Sequence, residues 1–254
     1  MSRQARLGEA RVRIAAIEAR AAPAWKVLPF GDPDIDATLP GGGLPLGRWH
    51  EAVGEGLEME METAAAAGAF VAVLAAPLAS RGAVVWVTRR GDLHAPGLAG
   101  LGFPAERLIQ VRARDEAQTL AALEDALGCP GVAAAIGEAE EIDLVGGRRL
   151  QLACERGGAT GFVIRRRPFG GAPRRGEGAT AAATRWKVAA APSEPAPGEP
   201  GLGAPRWRIV LERCRGGRSG AWILEKRDGA HPLRVVARLG DRQLETPPPL
   251  CRAG

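Results

Sequence analysis

The chain has 254 residues, of which 46% are hydrophobic and 25% charged, so one large domain or two small ones with a sizeable core are possible. No apolar run approaches the roughly 18 residues of a membrane-spanning helix, and the charged N-terminus is unlike a signal peptide. We therefore expect a soluble, cytoplasmic protein with no membrane partner. The four cysteines and three histidines are scattered, which favours structural roles over a disulfide framework or a metal site. We expect no bound metal or cofactor.

The N-terminal segment, residues 1–24, has apolar residues at alternating spacings of three and four, with charged residues on the other faces. This pattern predicts an amphipathic helix that ends before Pro23. Its apolar positions include Leu7, Ala10, Ile14 and Ile17. The helix could pack on its own domain or provide a surface for a partner.

Residues 25–167 alternate between strand and helix patterns. A glycine-rich loop precedes the strand RWHEAV, which ends at Gly54, and an alanine-rich helix follows over 58–79. Further strands are predicted at 83–87, 108–113, 131–138 and 160–167. Helices are predicted at 115–127, where Asp115 can cap the start, and at 148–158. This alternation predicts an α/β fold with a mostly parallel central sheet flanked by helices.

The segment 168–205 is basic and rich in proline and glycine, which predicts a loop region with WKVAAAPS as a possible short strand. Residues 206–242 alternate apolar and polar side chains, as antiparallel strands do. We expect these strands to complete the core, followed by a tail at 243–254.

Positive charge is concentrated near the loop region. The net charge is +5, carried almost wholly by arginine, and residues 165–187 contain seven basic residues against one acid, Glu177. The seven are Arg165, Arg166, Arg167, Arg174, Arg175, Arg185 and Lys187. Because arginine suits bidentate contacts, they could bind DNA phosphates or an acidic partner, with Phe169 and Trp186 stacking on bases. The alternative is a solvated loop.

The turn after Gly54 is spaced like a phosphate-binding loop but has the wrong charges for one. Aligning Gly54 with the first glycine of G-x-x-x-x-G-K-[ST] puts Met59, Glu60 and Met61 where Gly, Lys and Ser/Thr belong. A carboxylate about 4 Å from a phosphate charge costs roughly 4 kcal/mol at an effective dielectric near 20. Carboxylates at a helix start instead stabilise the helix itself. We therefore predict a degenerate loop and no ATP hydrolysis, although Glu138 ends a strand where a Walker B acid would lie.

The order and spacing of several segments resemble the ImuA family, RecA-like proteins encoded in inducible-mutagenesis cassettes. The segments are LPFGDPDIDATLPGGGLPLGRWHEAVG, VVWVTRRGDLHAPGLAGLGFPAERLIQV and IGEAEEIDLVGGRRLQLACERGGATGFVIRR, and the likeness spans roughly residues 7–242. The resemblance implies a RecA-like core with a degenerate nucleotide site. It also implies a role in the SOS response to DNA damage, through translesion synthesis and mutagenesis.

The resemblance implies partners as well. They are an inactive Y-family polymerase relative from the same cassette, RecA, and indirectly an error-prone replicative-type polymerase, with single-stranded DNA as a further candidate. The expected function is that of a non-hydrolysing adaptor, associated with the nucleoid when engaged. Two alternatives stay open: a RecA-like ATPase or nucleotide-gated switch, and a SulA-like inhibitor of cell division.

Overall fold

The computed structural model describes residues 26–54, 60–166, 180–195, 198, 200–229 and 232–239. The strands are β1 Val27–Leu28, β2 Leu44–Pro45, β3 Trp49–Gly54, β4 Ala83–Thr88, β5 Leu108–Arg112, β6 Val132–Ala139, β7 Thr160–Arg165, β8 Thr184–Ala191, β9 Arg206–Cys214, β10 Gly220–Lys226 and β11 Leu233–Arg238. The α-helices are α1 Pro33–Asp36, α2 Glu60–Ala75, α3 Ala95–Ala99, α4 Glu116–Gly128 and α5 Leu144–Gly157. None of the helices within these ranges is both long and apolar enough to span a bilayer.

Nine of the described strands form one sheet in the order β11-β10-β9-β8-β3-β7-β6-β4-β5. The six strands from β8 to β5 are parallel to their neighbours. Strands β9, β10 and β11 extend the sheet beyond β8 in antiparallel pairs. The predicted α/β fold with a mostly parallel sheet and C-terminal antiparallel strands is therefore confirmed.

Each face of the sheet carries its own apolar core. Helix α2 is apolar on nearly all sides and packs on one face, where Phe70 and Leu74 belong to the same buried cluster as Trp207 and Trp222 of the C-terminal strands. Helices α4 and α5 cover the other face around Leu123 and Leu150. Helices on both faces bury the apolar strands, as a parallel sheet requires.

Side-chain caps fix where the helices on the second face begin. The Asp115 carboxylate accepts a hydrogen bond from the Gln118 amide at 2.8 Å at the start of α4, as the sequence predicts. Asp143 caps α5 in the same way through the Gly146 amide at 2.6 Å. Helix α5 thus begins at Leu144, four residues before the predicted start. It ends at Gly157, and the following Gly158 caps it in the left-handed conformation at φ 73°.

A buried chain of three hydrogen bonds links β3, β8 and β2. The Trp186 indole N–H donates to Thr184 Oγ1 at 2.7 Å, and the Thr184 hydroxyl donates to His50 Nδ1 at 2.8 Å. His50 Nε2–H in turn donates to the Pro45 carbonyl at 2.8 Å. With Nε2 protonated and Nδ1 accepting, the neutral imidazole of His50 has a partner for both ring nitrogens. Burial lowers the pKa of His50 from 6.5 to about 4, which favours that form.

Within the predicted loop region 168–205, the structure places strand β8 next to β3, near the middle of the sheet. Its alternate side chains Thr184, Trp186 and Val188 are buried. At a sheet edge or in a loop these side chains would be more exposed to water, which is unfavourable for the large apolar ring of Trp186 and for Val188. The predicted N-terminal helix and the tail 243–254 lie outside the described residues.

Candidate functional site

The carboxyl ends of the parallel strands meet at one edge of the sheet, and the loop predicted to be a degenerate phosphate loop begins there. Gly54 is the last residue of β3, and α2 begins at Glu60, followed by Met61. Met59 lies outside the described residues. Ligands of parallel α/β sheets commonly bind at this edge, so its charged residues define the candidate site.

The first charged group at this edge is centred on Glu51 of β3. Its carboxylate accepts a hydrogen bond from Arg165 Nη1 on β7 and another from Arg185 Nε on β8, each at 2.7 Å. The Glu51 side chain is only 2% exposed. One buried carboxylate thus joins three neighbouring strands by charge-assisted hydrogen bonds.

The second group is centred on Arg166, directly after β7. One guanidinium nitrogen donates to Glu138 Oε2 at 3.0 Å and another to Asp92 Oδ2 at 2.6 Å. Glu138 lies near the end of β6 and Asp92 lies in the loop after β4. Burial raises the pKa of Glu138, and the nearby Arg166 opposes that rise. Burial also acts to raise the pKa of Asp92, but its hydrogen bond to Arg166 holds this pKa below the ordinary value.

A third pair is hydrogen-bonded to the first group. Arg89, directly after β4, binds Glu140 at 2.9 Å, and the Glu140 carbonyl accepts a hydrogen bond from Arg165 Nε at 2.6 Å. We refer to all eight residues as the carboxyl-edge network. Its members are Glu51, Arg89, Asp92, Glu138, Glu140, Arg165, Arg166 and Arg185. Within this network of described residues, four carboxylates meet four guanidinium groups.

The network fits poorly with the magnesium–nucleotide complex that a phosphate loop would hold. A Walker B acid needs a carboxylate available for the metal or its water ligands. In this structure Arg166 Nη1 donates a hydrogen bond to Glu138 Oε2 at 3.0 Å, so this carboxylate already has a cationic partner. The residues at the two key loop positions are Glu60 and Met61 in place of lysine and a hydroxyl residue. We derive no chemical step through such a complex.

The structure separates the predicted basic stretch into different environments. Arg165, Arg166 and Arg185 belong to the carboxyl-edge network, and Lys187 binds Glu212 of β9 at 2.7 Å. Their contact with DNA or an acidic partner stays a prediction. The other members of that stretch, Arg167, Arg174 and Arg175, lie outside the described residues, as do Phe169 and the N-terminal positions Leu7, Ala10, Ile14 and Ile17.

The suggestion that Trp186 stacks on DNA bases is wrong. Its side chain is 1% exposed, and its ring lies 5.8 Å from that of Phe30 and 5.9 Å from that of Phe70, measured between centroids. The apolar side of β8 faces the core, so this aromatic ring is not available to a nucleic acid.

Glu51 was missed by sequence reasoning. A carboxylate inside the apolar strand RWHEAV, three residues before Gly54, is the signal that could have singled it out, because acidic residues are rarely fully buried without a partner. Its two partners lie 114 and 134 residues further along the chain, and no local pattern connects them.

Fold and network together define a class of protein: an α/β protein with a mainly parallel sheet whose carboxyl edge is filled by internal ion pairs. The chain is 60% identical over 227 residues to Protein ImuA of Caulobacter vibrioides strain NA1000 / CB15N, covering 86% of this chain and 92% of the relative. Protein ImuA of strain ATCC 19089 / CIP 103742 / CB 15 gives the same values. The chain therefore belongs to the ImuA family.

No protein-family model matches the sequence. The crystal structure of SulA from Pseudomonas aeruginosa is similar over 46% of this chain and 96% of that chain, with 20% identity and a TM-score of 0.39.

Proposed function

We propose that this chain is a non-hydrolysing, RecA-like accessory protein of DNA-damage-induced translesion synthesis. In this role it is an adaptor between the inactive Y-family polymerase relative of its cassette and RecA, DNA or both. Membership of the ImuA family supports the role in translesion synthesis, and the carboxyl-edge network supports the absence of ATP hydrolysis. The observation that carries the second part is the binding of Glu138 by Arg166.

The electrostatic argument concerns what a nucleotide would meet at this edge. A nucleoside triphosphate brings roughly four negative charges, and carboxylates near it are repelled by several kcal/mol each at a moderate dielectric. The loop and first turn offer Glu58, Glu60 and Glu62 and contain no lysine or arginine. The guanidinium groups of the network already bind carboxylates, so phosphates would have to displace charge-assisted hydrogen bonds that are present in the folded chain.

A protein that does not hydrolyse ATP acts through the surfaces that bind its partners. The N-terminal segment with Leu7, Ala10, Ile14 and Ile17 is the proposed helix for binding the polymerase relative or RecA. Arg174 and Arg175, together with the other basic residues of 165–187, are the proposed contacts for single-stranded DNA or an acidic partner.

A pull-down of the tagged full-length chain tests the adaptor role. We expect it to retain the purified polymerase relative of the cassette, and RecA with or without single-stranded DNA, to the same extent in the presence and absence of ATP. A variant starting at residue 23 is expected to lose retention of at least one of the two proteins.

Three results would contradict this proposal. Retention of neither protein would exclude an adaptor, and retention that requires ATP would favour a nucleotide-gated switch. Inhibition of a polymerising cytoskeletal GTPase by the purified chain, without binding to the polymerase relative, would favour the division-inhibitor alternative.

A further inference from the structure

The outward face of α5 has an unusual concentration of exposed apolar side chains. Six large hydrophobic residues in the described part of the chain are exposed, and three of them are on this one helix: Leu144 at 57%, Val145 at 68% and Leu152 at 47%. Single exposed hydrophobic residues are normal on a protein surface, whereas a contiguous group marks an interaction site. The helix is otherwise well anchored, because Leu150 and Cys154 on its opposite side are buried.

The spacing puts apolar and basic side chains on the same side of the helix. Val145 and Leu152 are seven residues apart, which is two helical turns, and Arg148 and Arg149 lie between them. Arg156 follows Leu152 by one turn, and all three arginines are exposed. Arg149 binds Glu124 on the neighbouring helix α4 at 2.5 Å. We call this apolar and basic surface the α5 face; its members are Leu144, Val145, Arg148, Arg149, Leu152 and Arg156. The one acidic residue exposed on the same side of the helix, Glu155, binds Arg48 at 2.6 Å.

We infer that the α5 face is a docking surface for an acidic amphipathic helix of a partner protein. Apolar side chains of such a helix would cover Val145 and Leu152, and carboxylates on its flanks would face Arg148 and Arg156. Helices that dock in this way use apolar residues at positions i, i+3 or i+4 and i+7, which matches the two-turn spacing on α5. Opposite charges around the contact favour this partner over neutral ones and speed association.

Charge and chemistry argue against other occupants. The chain's own residues 1–25 contain five arginines and two glutamates, so they share the sign of the α5 face. A second copy of the same face would bring arginine against arginine. Nucleic acid would use the arginines but would leave the three aliphatic side chains exposed, because phosphates offer them no apolar contact.

The inference concerns one surface and does not depend on the proposed adaptor role or on nucleotide binding. A designed probe therefore tests it: a fluorescently labelled helical peptide with leucine at heptad positions a and d and glutamate at the flanking positions. The control peptide has lysine in place of every glutamate. We expect the full-length chain to bind the glutamate peptide, with an affinity that falls as salt rises, and to bind the lysine peptide at least tenfold more weakly in a fluorescence-anisotropy titration.

Paired variants locate the binding. Leu152→Asp is expected to weaken binding of the glutamate peptide at least tenfold, while Ala121→Asp, which adds the same charge at an exposed position of α4, leaves it unchanged. Arg148→Glu should have an effect similar to that of Leu152→Asp, with Arg114→Glu as its control. All four positions are exposed, so circular dichroism and thermal unfolding are expected to show folded variants.

The inference is wrong if the wild-type chain fails to bind the glutamate peptide or binds both peptides equally. It is also wrong if Leu152→Asp binds as tightly as the wild type. Sedimentation velocity adds one further outcome: a wild-type dimer that becomes a monomer in Leu152→Asp would assign the α5 face to a second copy of this chain, against our inference.

Discussion

Replacing Glu51 by alanine is expected to lower the free energy of unfolding by about 3–5 kcal/mol, the cost of removing one partner from a buried ion pair. The reason is the geometry: one carboxylate, 2% exposed, compensates both Arg165 and Arg185. Without it, two guanidinium groups that are 21% and 13% exposed are left near each other in a mostly water-excluded position. Urea unfolding at neutral pH measures the loss.

Glu155→Ala is the matched control for Glu51→Ala. Glu155 also binds an arginine, Arg48, at 2.6 Å, and accepts a hydrogen bond from Gln151 Nε2 at 3.0 Å, but it is 41% exposed, so water can replace the lost contacts. We expect a loss of less than about 1 kcal/mol. Equal losses in the two variants would show that Glu51 has no special structural role at the sheet edge.

Acidification is expected to destabilise the folded chain through His50, by up to about 3 kcal/mol between pH 6.5 and 4. The pKa of His50 is lowered by burial to about 4, whereas an unfolded histidine titrates near 6.5. The unfolded chain therefore binds the extra proton first as the pH falls. The stabilisation is fully present above pH 6.5 and is lost as the pH falls towards 4.

The difference in unfolding free energy between the wild type and His50→Gln isolates this effect, because other groups titrate equally in both proteins. We expect the variant to be less stable at pH 7 and this deficit to shrink as the pH falls to 4.5. His94→Gln, at an exposed position, is expected to show no comparable change relative to wild type. A deficit for His50→Gln that is constant with pH would contradict the buried neutral imidazole.

Sequence patterns predict the elements of this fold well where the signal is local. The run AVVWV is β4 almost residue for residue, and Asp115 caps α4 as expected. The start of α5 was missed because Gly146 and Gly147 resemble helix breakers. The structure explains Gly147 by tertiary contact: a Cβ there would lie 3.0 Å from both the Trp49 ring and the Ala181 side chain.

The candidate site was less predictable because its contacts connect distant parts of the chain. The sequence indicates a degenerate phosphate loop and singles out Glu138, but it does not show that Arg166, 28 residues later, binds that carboxylate. Similarly, the cluster of arginines in the sequence predicts a phosphate-binding surface. Only the fold shows that Arg165 and Arg185 both bind the Glu51 carboxylate. Pairings of this kind depend on strand order, which local periodicity does not determine.

We propose that internal ion pairs occupy the carboxyl edge of the sheet in place of a nucleotide. Thermal and urea unfolding of the full-length chain with and without ATP and Mg²⁺ tests this most directly, since a ligand at about 100 times its Kd would add about 2.7 kcal/mol to the free energy of unfolding. We predict no change, both for the wild type and for Arg166→Met, because freeing Glu138 does not supply the missing lysine. A saturable increase in stability of the wild type with ATP, abolished by Glu138→Gln, would contradict the account.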